Sequence, residues 1–92
     1  MTQQPFPLGH TLAMPGALET LETLGIDPST LLDRHLACDW SDMEPEDQES
    51  NREALTNGSR IFSSYRLASD TKIWVITESD RSCTTILLPS EY

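Results

Sequence analysis

At Asn57-Gly58-Ser59 the hydrophobic pattern of this chain changes its period. No other feature constrains the fold as strongly. Upstream, apolar residues recur at helical spacing; downstream they alternate. A helix buries a stripe that repeats every ~3.6 residues and a strand buries every ~2nd residue, so the two halves cannot share one kind of element. Helices followed by strands make an α+β arrangement, with the helices laid on one face of an antiparallel sheet.

The helical half divides at its prolines and glycines. Pro15 suits a first helical position, where its missing N–H costs nothing. Ala17, Leu18, Leu21 and Leu24 then fall within an arc of about 120° at ~100° per residue. Gly25 supplies a left-handed stop, so the pattern predicts a helix over 15–24. Asp27-Pro28 is a second start, an acidic N-cap with Pro behind it. Leu31, Leu32, His35 and Leu36 share one face of that helix, and the short gap behind Leu24 predicts a helical hairpin. A third helix is predicted from Pro45 to residue 56, ended by Asn57-Gly58, with Glu46 and Asp47 in its first turn, where the helix dipole favours them. Its apolar face is thin: Ala54 and Leu55, extended by Asn51, Gln48 and Asp47.

In the alternating half, a strand over 59–67 places Ile61, Ser63, Tyr65 and Leu67 on one face, and Arg60, Phe62, Ser64 and Arg66 on the other. Turn residues at 68–71 and 79–81 separate it from strands over 72–77 and 83–88, the last stopped by Pro89. These make a three-stranded antiparallel meander. Residues 9–14 alternate as a short edge strand behind a frayed start over 1–8. The expected architecture is a single domain of about three N-terminal helices on a C-terminal meander. A chain of 92 residues is long enough for a modest core. One helical layer cannot cover both the Phe62 and the Tyr65 face, so one of them is left open to a homodimer.

Charge narrows the partners. Residues 1–53 carry eleven acids and two bases, residues 54–92 carry four of each, and the net charge is −9. Such a field opposes direct binding of nucleic acid or of an anionic membrane and favours a basic protein surface. The longest aliphatic and aromatic run, Ile73-Trp74-Val75-Ile76, falls far short of the ~20 residues a bilayer span needs. Residues 1–13 contain no Lys or Arg and no long apolar block, unlike a secretory leader. Cys38 and Cys83 are too few for a disulfide scaffold, and two buried, reduced thiols in a cytoplasmic protein are the expectation.

Six carboxylates and no base lie between Asp39 and Glu49. A calcium loop starting at Asp39 would need Gly where Glu44 stands, so no metal site is expected. Glu46, Glu49 and Glu53 step along the third helix by ~4.5 and ~6 Å. That is comparable with, though sparser than, the ~3.4 Å repeat of nucleic-acid phosphates. The stripe is either a solvated helix face or an interaction face. In the second reading Asp39, Asp42, Glu46, Glu49 and Glu53 supply the charge, and Trp40 is the exposed apolar anchor. A polar turn formed by Glu78, Asp80, Arg81 and Thr84 is the alternative site. It is either a recognition site or plain turn chemistry, with Arg81 paired to Glu78 or Asp80. His35, central on its apolar arc, is expected buried, neutral and bonded to backbone. Trp74 is expected between helices and sheet. No Gly-rich phosphate loop, nucleophile elbow or other cofactor motif is present.

Met14-Pro15-Gly16-Ala17-Leu18-Glu19-Thr20-Leu21, the stretch Asp39-Trp40-Ser41-Asp42, the stretch Trp74 to Ser82 and the ending Thr84 to Tyr92 together resemble a family of short acidic proteins encoded on bacterial plasmids and integrating elements. The resemblance covers nearly the whole chain and is most specific at its carboxy-terminal end. Family members often carry Thr at the cap of the first helix, where this chain has Met14. The resemblance implies no catalytic residue. It implies a role in host defence, plasmid maintenance or conjugation. The reading that follows is a non-enzymatic interaction protein of a mobile element, without cofactor, that binds or blocks a basic nucleic-acid-handling protein. The alternatives are a small ligand-binding or enzymatic domain at the polar turn, and a homo-oligomeric module.

Overall fold

A computed structural model describes residues 5–92, apart from the side chain of Ser69. The chain forms β1 (His10–Ala13), α1 (Pro15–Leu24), α2 (Pro28–Leu36), α3 (Pro45–Asn57), β2 (Ile61–Arg66), β3 (Lys72–Thr77) and β4 (Cys83–Leu87). Short 3-10 turns stand at Ala68–Asp70 and Pro89–Glu91. The strands form one four-stranded mixed sheet in the order β1-β4-β3-β2. The meander β2-β3-β4 is antiparallel as expected, but it is not the whole sheet. Strand β1 joins it in parallel to β4, with His10 opposite Cys83 and Ala13 opposite Ile86.

All three helices contribute to the inner face of the sheet. Ala17 and Leu21 of α1 and Leu31 of α2 pack with Tyr65, Ile73, Val75 and Ile86. Ala54 of α3 packs with Ile61, Trp40 and Phe6. Burying an aliphatic side chain of this size stabilises by about 1.5–3 kcal/mol. Leu18 departs from the α1 arc: it is 45% exposed, because only the Ala17–Leu21 edge of the stripe meets the sheet.

Each helix end has an identifiable cause. Asp27 accepts from the Ser29 N–H at 2.9 Å, the side-chain cap that the sequence implies. Met14 gives α1 no such bond. The cap comes from the other end of the chain, where the Glu91 carboxylate accepts from Gly16 N at 2.8 Å and Ala17 N at 3.0 Å. Gly16 permits this approach, since a Cβ there would stand 2.9 Å from the Glu91 carboxylate. Helix α3 buries only Asn51 and Ala54, so apolar burial does little to hold it. Polar clamps replace it. Arg81 donates to the Ala54 carbonyl at 3.1 Å, near the helix end, and Gly58 N donates to the same oxygen at 3.0 Å.

Among the described residues no α-helix packs on the opposite sheet face. Phe62 and Trp74 lie on it with ring centroids 4.8 Å apart, and Tyr92 meets Trp74 edge-on at 5.7 Å. Trp74 therefore does not sit between helices and sheet. Its strand partners are Ser64 and Leu87, which are outer-face residues.

Candidate functional site

The acidic residues expected to form one face divide into two groups. Asp39 and Asp42 hold the loop after α2. Arg34 donates to Asp39 at 2.7 Å and reaches Asp42 at 3.5 Å, and its guanidinium lies 4.3 Å from the Tyr65 ring centroid. Asp42 also accepts from the Arg66 backbone N–H at 3.1 Å. The bonds from Arg34 and then from Ser41 hold the Asp39 carboxyl below its usual range. Both acids are thus engaged by one arginine and by the fold. Trp40 between them is 3% exposed and donates to Ser63 Oγ at 2.9 Å, so it is a core residue and not a surface anchor.

Glu46, Glu49 and Glu53 do stand exposed on α3, as do Glu44 and Asp47. Glu49 pairs with Arg52 at 2.9 Å, both well exposed, and such a pair contributes little stability. Beside this acidic helix runs a groove. A depression of about 400 Å³ has Phe62 and Met43 among its lining residues, with Asp47 and Glu53 from α3 and Arg60 from the sheet side. It continues into one of about 240 Å³ where Asp42 and Glu44 are joined by Arg66, Lys72 and Trp74. Half-buried Trp74 and Phe62 therefore provide the aromatic surface beside the acids. Trp74, not Trp40, is the half-exposed tryptophan of the chain, and it lines the second depression.

The polar turn is committed to structure. Arg81, with φ of 61°, donates to the carbonyl oxygens of Ser59 at 2.7 Å, Glu78 at 3.2 Å and Ala54 at 3.1 Å, and pairs with neither Glu78 nor Asp80 through their carboxylates. Asp80 accepts from Ser82 N at 2.9 Å, and the Ser82 side chain and then this N–H lower its pKa. Glu78 is half-buried, and its backbone N–H and C=O close the turn through Cys83 O and Arg81 N. Thr84 is fully buried and out of reach of any ligand.

Pattern reading missed a chain of buried hydrogen bonds centred on His35. The imidazole does not bond to backbone. Its Nδ1 is 2.5 Å from Ser63 Oγ and its Nε2 is 2.8 Å from Thr77 Oγ1. Thr77 Oγ1 is 2.6 Å from Thr84 Oγ1, which donates to the Leu8 carbonyl at 2.8 Å. Proton counting fixes every direction. Thr84 spends its one proton on Leu8, so Thr77 donates to Thr84. His35 Nε2–H then donates to Thr77, Nδ1 accepts from Ser63 O–H, and Ser63 Oγ accepts from Trp40. The ring is neutral, and burial pushes its pKa down to about 4. A serine beside a histidine resembles a nucleophile and base, but Ser63, His35 and Thr77 are fully buried and no substrate reaches them. The arrangement is a structural network joining α2 to three adjacent elements. Its signal in the sequence was present: Ser63, Thr77 and Thr84 are hydroxyls at inward strand positions.

Among the described residues no group of three or more His, Cys, Asp or Glu side chains is placed to hold a metal ion. No helix among them is long and apolar enough to cross a membrane. Cys38 and Cys83 are free and half-buried rather than buried. No protein-family model, curated protein or solved structure matches the chain.

Proposed function

We propose that this chain is a non-enzymatic interaction protein that uses the acidic surface of α3 and the adjoining aromatic groove to bind a basic protein surface. The observation that carries the reading is the juxtaposition at α3. Glu44, Asp47 and Glu53 line a groove with Phe62 and Trp74, into which Arg60, Arg66 and Lys72 also reach, and Glu46 and Glu49 stand exposed on the same helix. The excess of carboxylates on α3 steers a basic partner and sets its orientation, while half-buried aromatics supply area to bury on docking. Asp39 and Trp40 drop out of the interaction face because the fold uses them, while Asp42, held by Arg34 and the Arg66 N–H, stays at the end of the groove.

The step of the α3 glutamates and the resemblance to proteins of plasmids and integrating elements favour a partner whose basic surface ordinarily handles nucleic acid. Tagged protein retained on a column with bacterial lysate tests this. A specific basic partner is captured at low salt and released at high salt, because exposed ion pairs are screened beyond about 10 Å at 0.1 M. The Glu46/Glu49/Glu53→Gln protein captures several-fold less. Equal capture by wild type and variant, or capture indifferent to salt, rejects the reading.

A further inference from the structure

The two edges of the sheet are treated differently. At β2 side chains occupy three of the outward backbone groups, at the two ends of the strand. Asn51 takes both the N–H and the C=O of Phe62, and Asp42 takes the N–H of Arg66. At β1, His10 N donates to Ser82 O and Met14 N to Ile86 O, so residues 10, 12 and 14 face β4. Bonding alternates along a strand, and Thr11 and Ala13 therefore turn their N–H and C=O groups to the open side. Among the described residues no helix stands over this edge: His10, Thr11 and Leu12 are exposed. Large apolar side chains surround it, with Leu12 55%, Met14 38% and Leu18 45% exposed.

We propose that this edge is a self-pairing interface through which two copies of the chain join their sheets around a two-fold axis at Leu12. Charge selects the occupant. The chain carries −9, yet residues 5–18 contain no Asp, Glu, Lys or Arg. Two such chains repel through any surface of average charge and approach most easily through this one. A strongly basic partner, by contrast, meets here only the Glu91 carboxylate, already engaged by the Gly16 and Ala17 N–H groups, and is drawn to α3.

Geometry selects the register. An antiparallel β1–β1 pair centred on Leu12 sets Thr11 opposite Ala13 of the other copy, and Ala13 opposite its Thr11. These are the residues with outward backbone groups, so each of the two couples exchanges both N–H···O bonds. Leu12 meets Leu12 of the other copy at the non-hydrogen-bonded position, with Cα atoms about 4.5 Å apart and side chains on the outer sheet face. Pro15, one step beyond Ala13 in the same phase, has no N–H to offer, so the ladder ends there. The result is one continuous eight-stranded sheet with an isologous interface and both α3 surfaces at its far ends. It uses no residue of the α3 surface, so it stands or falls independently of the partner proposed above.

Sedimentation equilibrium of the full chain, from micromolar to millimolar concentration, tests the pairing. The expected result is a species of twice 10.3 kDa whose association strengthens with added salt, as repulsion between like-charged chains is screened. Leu12→Glu places two carboxylates face to face and is expected to weaken association about tenfold or more, with far-UV circular dichroism unchanged and Tm equal to that of wild type at concentrations where wild type is monomeric. Leu12→Cys is expected to give a disulfide-linked dimer on mild oxidation that wild type does not form, because the Cα separation suits a disulfide. A wild-type chain that stays monomeric throughout overturns the proposal. So does a dimer indifferent to Leu12→Glu, and a dimer indifferent to Leu12→Glu but abolished by Trp74→Glu would place the interface on the outer aromatic face.

Discussion

Asn51 holds the backbone of Phe62 from both sides: its Oδ1 accepts from Phe62 N at 3.0 Å and its Nδ2 donates to Phe62 O at 2.7 Å. A helix with almost no apolar face is thereby fastened to a sheet edge by one amide. The same amide withdraws the Phe62 N–H and C=O of that edge from pairing with other chains. The side chain is buried, so its loss leaves two backbone groups without partners. Asn51→Leu is expected to cost about 2–3 kcal/mol and to raise the tendency to aggregate. Chemical denaturation and light scattering read the two effects.

Arg81 fastens the other end of α3. It is the one side chain that bonds the Ala54 carbonyl, and it also takes Ser59 O and Glu78 O. Arg81→Ala is expected to destabilise by about 1.5–3 kcal/mol. Arg81→Lys should restore little, since an ammonium does not match the fork that spans these carbonyls. Hydrogen exchange of the α3 amides, faster in both variants, separates this local role from a general loss of stability.

His35 makes stability depend on pH in a stated window. Its folded pKa of about 4 lies below the ordinary 6.5, so the unfolded chain takes up a proton before the native one does. Its contribution is complete above pH 6.5 and is lost as pH falls through that value towards 4. The full loss corresponds to about 3 kcal/mol. Protonation also breaks the hydrogen-bond order, since Nδ1 can no longer accept from Ser63. Urea midpoints at several pH values between neutrality and pH 4 should decline in wild type and flatten in His35→Leu, which is less stable at every pH.

Glu91 ties the last turn to α1. Its bonds to Leu88, Gly16 and Ala17 amides lower its pKa. A depressed carboxylate pKa contributes stability above its unfolded value and loses it as pH falls through the folded one. Glu91→Gln should therefore lower Tm at neutral pH and narrow the gap to wild type in acid. Gly16→Ala should act in the same direction by pushing the carboxylate away. Deletion of Tyr92 alone should leave this cap in place.

Local pattern made most elements legible. The switch of period at Gly58 separates helices from strands, and Pro15, Pro28 and Pro45 each begin a helix. Gly25 and Gly58 end two of them at φ of 69° and 79°. The parallel partner of β1 was not legible, because a four-residue strand carries no mark of a partner some seventy positions away. The tryptophans exchanged roles for a related reason. Acids beside Trp40 suggested a surface, but Arg34 draws Asp39 and Asp42 together over the buried ring of Tyr65. Trp74 lies opposite Ser64 in the strand register, on the sheet face turned away from the helices. Of the acidic site, the α3 glutamates were placed on the surface as expected. The remainder depended on side-chain partners that periodicity does not encode.

The account rests on α3 acting as a specific anionic surface rather than through net charge alone. Titration of a labelled arginine-rich peptide into the wild-type chain at increasing salt measures this most directly, with two variants of equal charge change. Glu46/Glu49/Glu53→Gln alters the exposed stripe; Glu19→Gln with Glu22→Gln and Asp33→Asn alters exposed acids of α1 and α2. The account predicts affinity that falls with salt, is lost about tenfold or more in the α3 variant, and is retained in the other. Equal weakening in both variants, or no binding by wild type at low salt, would contradict it.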